Sequence, residues 1–244
     1  TPSSSATRCA ACCARGCSDE CMKLALFDLD HTLIPFDSGM AWTRFLMAKG
    51  FLPADADARY LAYCHAYVAG TLDIRAMHRA NVAPLAAVDA AVLQQWQLDF
   101  GAAIAAQVPA QIPASMRTLV ARHRDAGDLC AIVTATSRIV ATPMAALFGI
   151  GHLLATEPVL DAQGRPNGEI DGEPCYREHK IDHVQRWLRR QGRALADFER
   201  SFFYSDSAGD LPLLEAVSDA VAVRPDARLR AHAQASGWPV IDTL

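Results

Sequence analysis

Residues 23–30 read KLALFDLD. Leu24, Ala25, Leu26 and Phe27 form a short apolar run that ends abruptly in acidic loop residues. Such a run suits a central parallel strand covered on both faces. Working outward, residues 129–134 (LCAIVT), 201–204 (SFFY) and 220–223 (AVAV) have the same character. Helical patterns at residues 115–126, 138–147, 180–190 and 211–217 separate them. Strands alternating with helices predict an α/β fold with a doubly wound parallel sheet.

Between the first and second strands lies a long insertion, residues 38–112, rich in Ala, Leu, Gln and aromatic residues. A structureless loop of that length inside a compact domain is improbable, so the insertion is expected to be an all-helical cap domain. Pro109 and Pro113 mark its return to the core, which is expected to comprise residues 22–37 and 113–244. A second interruption, residues 156–174, carries Gln163-Gly164 and Asp171-Gly172 turns and predicts a β-hairpin. The 244 residues suffice for a core of this kind plus a small inserted domain.

A formal net charge of -4 gives no electrostatic case for nucleic acid or an anionic membrane surface. The richest apolar stretch, residues 86–110, is broken by Asp89, Gln94, Gln95, Gln97 and Asp99, so no membrane span is expected. A soluble, cytoplasmic protein is the expectation. Cys64, Cys130 and Cys175 are scattered as reduced thiols would be. Cys9, Cys12, Cys13, Cys17 and Cys21 crowd the first segment instead. Residues 1–21 are expected to be a disordered cysteine-rich leader with Met22 as the natural start. The CxxC spacing of Cys9 and Cys12 offers a zinc site as the alternative, which stoichiometric zinc in the intact chain would reveal.

Asp28, Asp30 and Thr32 form D-x-D-x-T directly after the first strand. Ligands of open α/β sheets sit at the carboxyl ends of strands, where these carboxylates fall. Side chains two apart on an extended chain point the same way, which directs both at one site. Two close carboxylates repel, and a bound cation would relieve the repulsion. Taken alone, the pattern fits an acidic turn or a helix N-cap equally well. Three further segments bear on the choice. Thr134 closes the second strand, with free backbone N–H groups expected where a helix starts near Ser137, a geometry suited to a phosphate oxygen. Lys180 stands at the start of a helix, where the helix dipole disfavours a cation. Residues 205–210 read SDSAGD, in which a helix cap explains Asp210 but not Asp206.

The order DxDxT, then Thr after a strand, then Lys, then DSAGD resembles the four motifs of the haloacid-dehalogenase-like phosphatases. Within them it looks most like the phosphoserine-phosphatase-like branch, which carries a helical cap after the first motif. The resemblance covers most of the chain from Met22 onward and implies roles. Asp28 would be the nucleophile, forming an aspartyl-phosphate. Asp30 would protonate the leaving oxygen and then activate the hydrolytic water. Magnesium would take the Asp28 carboxylate, the Asp30 carbonyl and the Asp206 carboxylate, while Asp210 orients Lys180 or a metal-bound water. Thr134, the Ala135 N–H and Lys180 would hold the non-bridging phosphate oxygens. Thr32 would support the loop.

The resemblance also frames the substrate, a small phosphomonoester. Phosphoserine phosphatases place a glutamate nine positions after the nucleophile for the substrate ammonium; here that position is Asp37. They also carry a cap arginine for the substrate carboxylate, and aligning residues 70–74 (GTLDI) puts Asn81 there, with Arg79 close by. Asparagine cannot supply arginine's charged bidentate grip. That points to an amino-alcohol phosphate without a carboxylate, with histidinol phosphate the natural candidate; the alternative is phosphoserine, whose carboxylate Arg75, Arg79 or Arg138 could each meet instead. The alternatives are a phosphotransferase or phosphomutase on the same aspartates, and a non-enzymatic phosphoacceptor or binding module. Oligomeric state is not legible in the sequence.

Overall fold

The computed structural model describes residues 22–242. The cysteine-rich leader and its CxxC pair lie outside the described residues. Strand β1 (Lys23–Phe27) is followed by the helices of the insertion: α1 (Ser38–Ala48), α2 (Ala56–Val68), α3 (Ile74–Val82) and α4 (Ala90–Gln111). A 3₁₀ turn, Ala83–Ala87, joins α3 to α4. Then come α5 (Ala114–Asp125), β2 (Leu129–Ser137), α6 (Arg138–Phe148) and β3 (His152–Thr156). The hairpin β4 (Pro158–Leu160) and β5 (Pro166–Ile170) precedes α7 (His179–Arg190), β6 (Arg200–Ser205) and the short α8 (Leu211–Leu214). The chain ends on β7 (Asp219–Val223), α9 (Ala227–Ser236) and β8 (Val240–Ile241).

Six of the strands form one sheet in the order β3-β2-β1-β6-β7-β8, with every pairing parallel. The apolar run Leu24–Phe27 lies on the inner strand beside which the winding reverses. Its Ala25 and Phe27 face one core and its Leu24 and Leu26 the other. Both faces are therefore buried, which is why the strand lacks polar alternation. The chain winds outward through β2 and β3, returns to β6 beside β1, and winds outward again through β7 and β8. That reversal opens a crevice at the carboxyl ends of β1 and β6.

Two strands escaped the sequence reading. HLLAT at β3 lies just before the region read as a hairpin, and β8 has only two residues. The expected second strand is also longer than its apolar run. It continues through Ser137 with a register irregularity between Val133 and Ser137. Pro109 lies within the last turn of α4, whereas Pro113 stands at the N-cap of α5.

The hairpin packs on the insertion. Gly168, at φ 90°, lets β5 approach the 3₁₀ turn so closely that a Cβ there would overlap Ala83. Arg75 reaches the Gly172 carbonyl and Glu173, and Arg79 pairs with Glu169, both across to the hairpin side. Among the described residues no helix is long and apolar enough to cross a membrane.

Candidate active site

Two neighbouring strands deliver the central carboxylates: Asp28 follows β1 and Asp206 follows β6. The Asp28 N–H donates to the Tyr204 carbonyl at 2.9 Å, so the parallel ladder fixes its backbone one step beyond the strand. Thr32 Oγ1 donates to Asp206 Oδ1 at 3.1 Å and ties the loop after β1 to the loop after β6. The turn between Asp30 and Thr32 passes through His31 at φ 59°, a left-handed conformation uncommon outside glycine. Arg224 holds that turn by donating to the His31 and Thr32 carbonyls.

Lys180 enters from the first turn of α7 and is 3% exposed. Its Nζ lies 2.7 Å from Asp28 Oδ1 and 2.7 Å from Asp210 Oδ2. Ser205 Oγ donates to the same Asp210 oxygen at 2.7 Å. Burial works against the ammonium, but Asp210 and Asp28 outweigh it and hold the lysine charged. Burial pushes Asp206 far above the usual carboxylate range, and the nearby Asp28 and Asp210 push it further. One lysine among three close carboxylates, two of them buried, leaves negative charge uncompensated, and a divalent cation beside Asp28 and Asp206 would relieve it. No three His, Cys, Asp or Glu side chains among the described residues converge on one point. The expected magnesium set does not require three, because one ligand would be the Asp30 main-chain carbonyl. The donor set fits a hard cation.

Asp30 is held by two donors: Ser38 N–H at 2.7 Å on Oδ1 and Thr136 Oγ1 at 2.5 Å on Oδ2. Burial, and after it the charge of Asp37, raises its pKa to about 7 against the pull of those hydrogen bonds. Thr134 and Thr136 sit in the irregular end of β2, which runs on to Ser137 instead of closing at Thr134 as the sequence suggested. Helix α6 begins at Arg138 with Ser137 as its N-cap, where the sequence reading expected a helix to start. Thr134 Oγ1 accepts from the Thr136 N–H at 3.2 Å, and Ala135 lines the same cavity.

That cavity, about 880 Å³, runs from Asp28, Asp30, Lys180 and Asp206 into the helical insertion. Asp37 lies on its wall and caps α1 by accepting from Met40 N–H at 2.7 Å, so the capping and wall placements hold together. Tyr60 OH donates to Asp37 at 3.0 Å and the Cys64 thiol approaches its other oxygen at 3.9 Å. Burial and Asp37 push the Cys64 thiol up to about 12, which keeps it protonated as a donor. Gly39 makes room for this arrangement, since a Cβ there would overlap the Tyr60 hydroxyl.

The structure brings Asn81 to the cavity wall but not Arg79 or Arg138. Arg79 Nε pairs with Glu169 at 2.9 Å on the surface. Arg138 grips both oxygens of Glu157 at 2.7–2.8 Å through Nε and donates to the Leu153 carbonyl. Arg75 is engaged by Glu173. Side chains that sequence reasoning missed are Thr136, Ser205, His78 and Tyr67, whose OH donates to Ser207 Oγ at 2.8 Å. Only Thr136 had a legible signal: it stands two positions from Thr134 on a strand, hence on the same side.

Comparisons with known proteins place the family and the fold. The sequence profile of the haloacid dehalogenase-like hydrolases matches residues 25–215. A histidinol-phosphatase of Neisseria meningitidis serogroup C is 38% identical over 220 residues, covering 90% of this chain and 98% of that protein. A protein of unknown function from Bordetella pertussis Tohama I superposes with a TM-score of 0.83 at 42% identity, over 91% of this chain and 99% of that one. A substrate-bound phosphoserine phosphatase superposes at 0.64 and 16% identity, over 92% and 95% of the two chains, which is a likeness of fold. The chain belongs to the haloacid dehalogenase-like hydrolases, with the fold of the phosphoserine-phosphatase-like branch.

Proposed function

We propose that this enzyme is a magnesium-dependent phosphatase that passes the phosphoryl group of a small phosphomonoester through Asp28 to water. It hydrolyses phosphoric monoesters. The observation that carries the reading is Lys180, buried and within 2.7 Å of both Asp28 and Asp210 at the reversal of the sheet. With Oδ1 held by Lys180, Oδ2 of Asp28 attacks phosphorus in line and the ester oxygen leaves. Asp30 gives that oxygen a proton, then takes one from the water that attacks the aspartyl-phosphate and restores Asp28. Thr134, the Ala135 N–H and Lys180 hold the non-bridging oxygens as charge moves. Asp28, Asp206 and the Asp30 carbonyl would hold magnesium, with Asp210 behind them orienting Lys180. When bound, the ion neutralises the repulsion between Asp28 and the phosphate.

The substrate carries an amine and no carboxylate, as histidinol phosphate does. Asp37 on the cavity wall supports the amine. The outward pairing of Arg75, Arg79 and Arg138 supports the missing carboxylate. Arg177 also lines the cavity, but its guanidinium donates to the Gly70 carbonyl and lies over the Tyr176 ring. The name of the Neisseria relative agrees with this substrate.

The test is phosphate release from histidinol phosphate, phosphoserine and p-nitrophenyl phosphate, with and without magnesium, for wild type and Asp28→Asn. Magnesium-dependent turnover that is best on histidinol phosphate and lost in Asp28→Asn is expected. Turnover that survives in Asp28→Asn, or none on any ester, overturns the mechanism. A preference for phosphoserine overturns the substrate assignment alone.

A further inference from the structure

The proposed chemistry uses the Asp28 end of the cavity for phosphate and Asp37 for an ammonium. The remaining wall, around α3, is largely apolar: Leu72, Ile74, Met77, Val82 and Leu85. Two polar side chains interrupt it. His78 and Asn81 both line the cavity, and their spacing of three puts them on one face of α3.

His78 is 4% exposed, and its Nε2 has no hydrogen-bond partner. Burial lowers its pKa and keeps the ring neutral, against the pull of the Glu169 backbone, which favours a proton on the ring. A neutral imidazole has a single N–H. The Glu169 backbone favours that N–H on the other ring nitrogen, which leaves Nε2 a lone pair with which to accept. The Asn81 amide is likewise unpaired among the described residues. Buried polar groups in native proteins are nearly always hydrogen-bonded, so an orphaned acceptor beside an apolar cavity calls for a partner.

We infer that His78 and Asn81 form a subsite for a neutral nitrogen heterocycle on the substrate. His78 Nε2 accepts the ring N–H, and the Asn81 amide donates to the ring's other nitrogen. The inference rests on the phosphatase reading and deepens it. The charges that act on His78, Arg75 and Glu169, are already paired with Glu173 and Arg79, so neither is left to hold a carboxylate or a second ammonium in this place. A ring offering one donor and one acceptor, such as imidazole, matches both groups. The substrate is therefore an amino-alcohol phosphate bearing such a ring, and the subsite excludes its carboxylated counterparts.

The test compares histidinol phosphate with phosphoethanolamine, which keeps the phosphate and the ammonium but lacks the ring, and with p-nitrophenyl phosphate. His78→Phe, which keeps the bulk, should lower kcat/KM for histidinol phosphate by about tenfold or more, mostly through KM. It should leave phosphoethanolamine within about twofold. Asn81→Leu should act in the same direction. His78→Gln, which retains a neutral acceptor, should recover part of the loss and serves if the Phe variant does not fold. Equal losses on all three esters would make His78 a packing residue and overturn the inference, as would no loss. Wild type active on p-nitrophenyl phosphate but indifferent to the ring overturns the subsite alone. Wild type inactive on every ester overturns the phosphatase reading and the subsite with it.

Discussion

Thr136 Oγ1 donates to Asp30 Oδ2 at 2.5 Å, although 106 positions separate the two residues in the chain. The bond crosses from β2 to the loop after β1 and, with the Ser38 N–H, fixes both oxygens of the carboxyl proposed to move the protons. Proton transfer depends on that placement more than on substrate binding. Thr136→Val removes the donor without changing the bulk. It should lower kcat about tenfold, the loss of about one hydrogen bond to a charged group, with KM nearly unchanged. Thr136→Ser should retain most of the rate. A Thr136→Val enzyme with wild-type kcat, measured on p-nitrophenyl phosphate, would remove Thr136 from the site.

Lys180 joins stability to activity. Among the described residues it is the only cation within hydrogen-bond reach of Asp28 and Asp210, and both of those carboxylates are buried. Removing one partner of a buried ion pair leaves an uncompensated charge, at a cost of about 3 kcal/mol or more. Lys180→Met should therefore lower Tm by about 6 °C or more, on the scale for a chain of this size, and abolish turnover. Thermal melts of the variant without substrate separate the two effects. A Lys180→Met protein that melts like wild type would show that the pair contributes little to the fold.

The insertion meets the site through a few contacts. Tyr67 OH donates to Ser207 Oγ at 2.8 Å, next to Asp206, and Arg177 donates to the Gly70 carbonyl from the other side. Val68 beside them is 86% exposed, so little packing reinforces the contact. Tyr67→Phe removes one hydrogen bond and little bulk. KM should rise about fivefold while kcat holds within about twofold, because a loosened contact weakens substrate retention before it touches chemistry. Amide exchange over α2 should quicken in step. An unchanged exchange rate in Tyr67→Phe would mean that other contacts hold the insertion in place.

The sheet was legible because its inner strands are uniformly apolar and end in charged loops; Leu24–Phe27 and Asp28 state both facts within five residues. The strands β3 and β8 were not, because one borders a hairpin and the other has two residues at the edge. Of the site, Asp28, Asp30, Lys180, Asp206 and Asp210 stood out by type and order. His78 and Tyr67 did not, since nothing local distinguishes a histidine or tyrosine facing a cavity from one packed in a helix. The arginines misled for a related reason: a sequence shows a cation but not the carboxylate that already holds it.

That last point yields a sharp prediction for Arg79 and Arg138. Each was a candidate for the substrate carboxylate, and each faces away from the cavity onto a glutamate. The Arg138 pair with Glu157 joins the start of α6 to the end of β3, with both side chains more than a third exposed. Solvent screens such a pair, so Arg138→Met should destabilise the protein by about 1 kcal/mol at most, a Tm shift of a few degrees. Arg79 is more exposed still, so Arg79→Met should leave Tm close to wild type. Neither variant should change KM for histidinol phosphate or for phosphoserine by more than about twofold. Steady-state kinetics on both esters decide it: a KM for phosphoserine that rises tenfold in either variant would return that arginine to the substrate site and reopen the case for a carboxylated substrate.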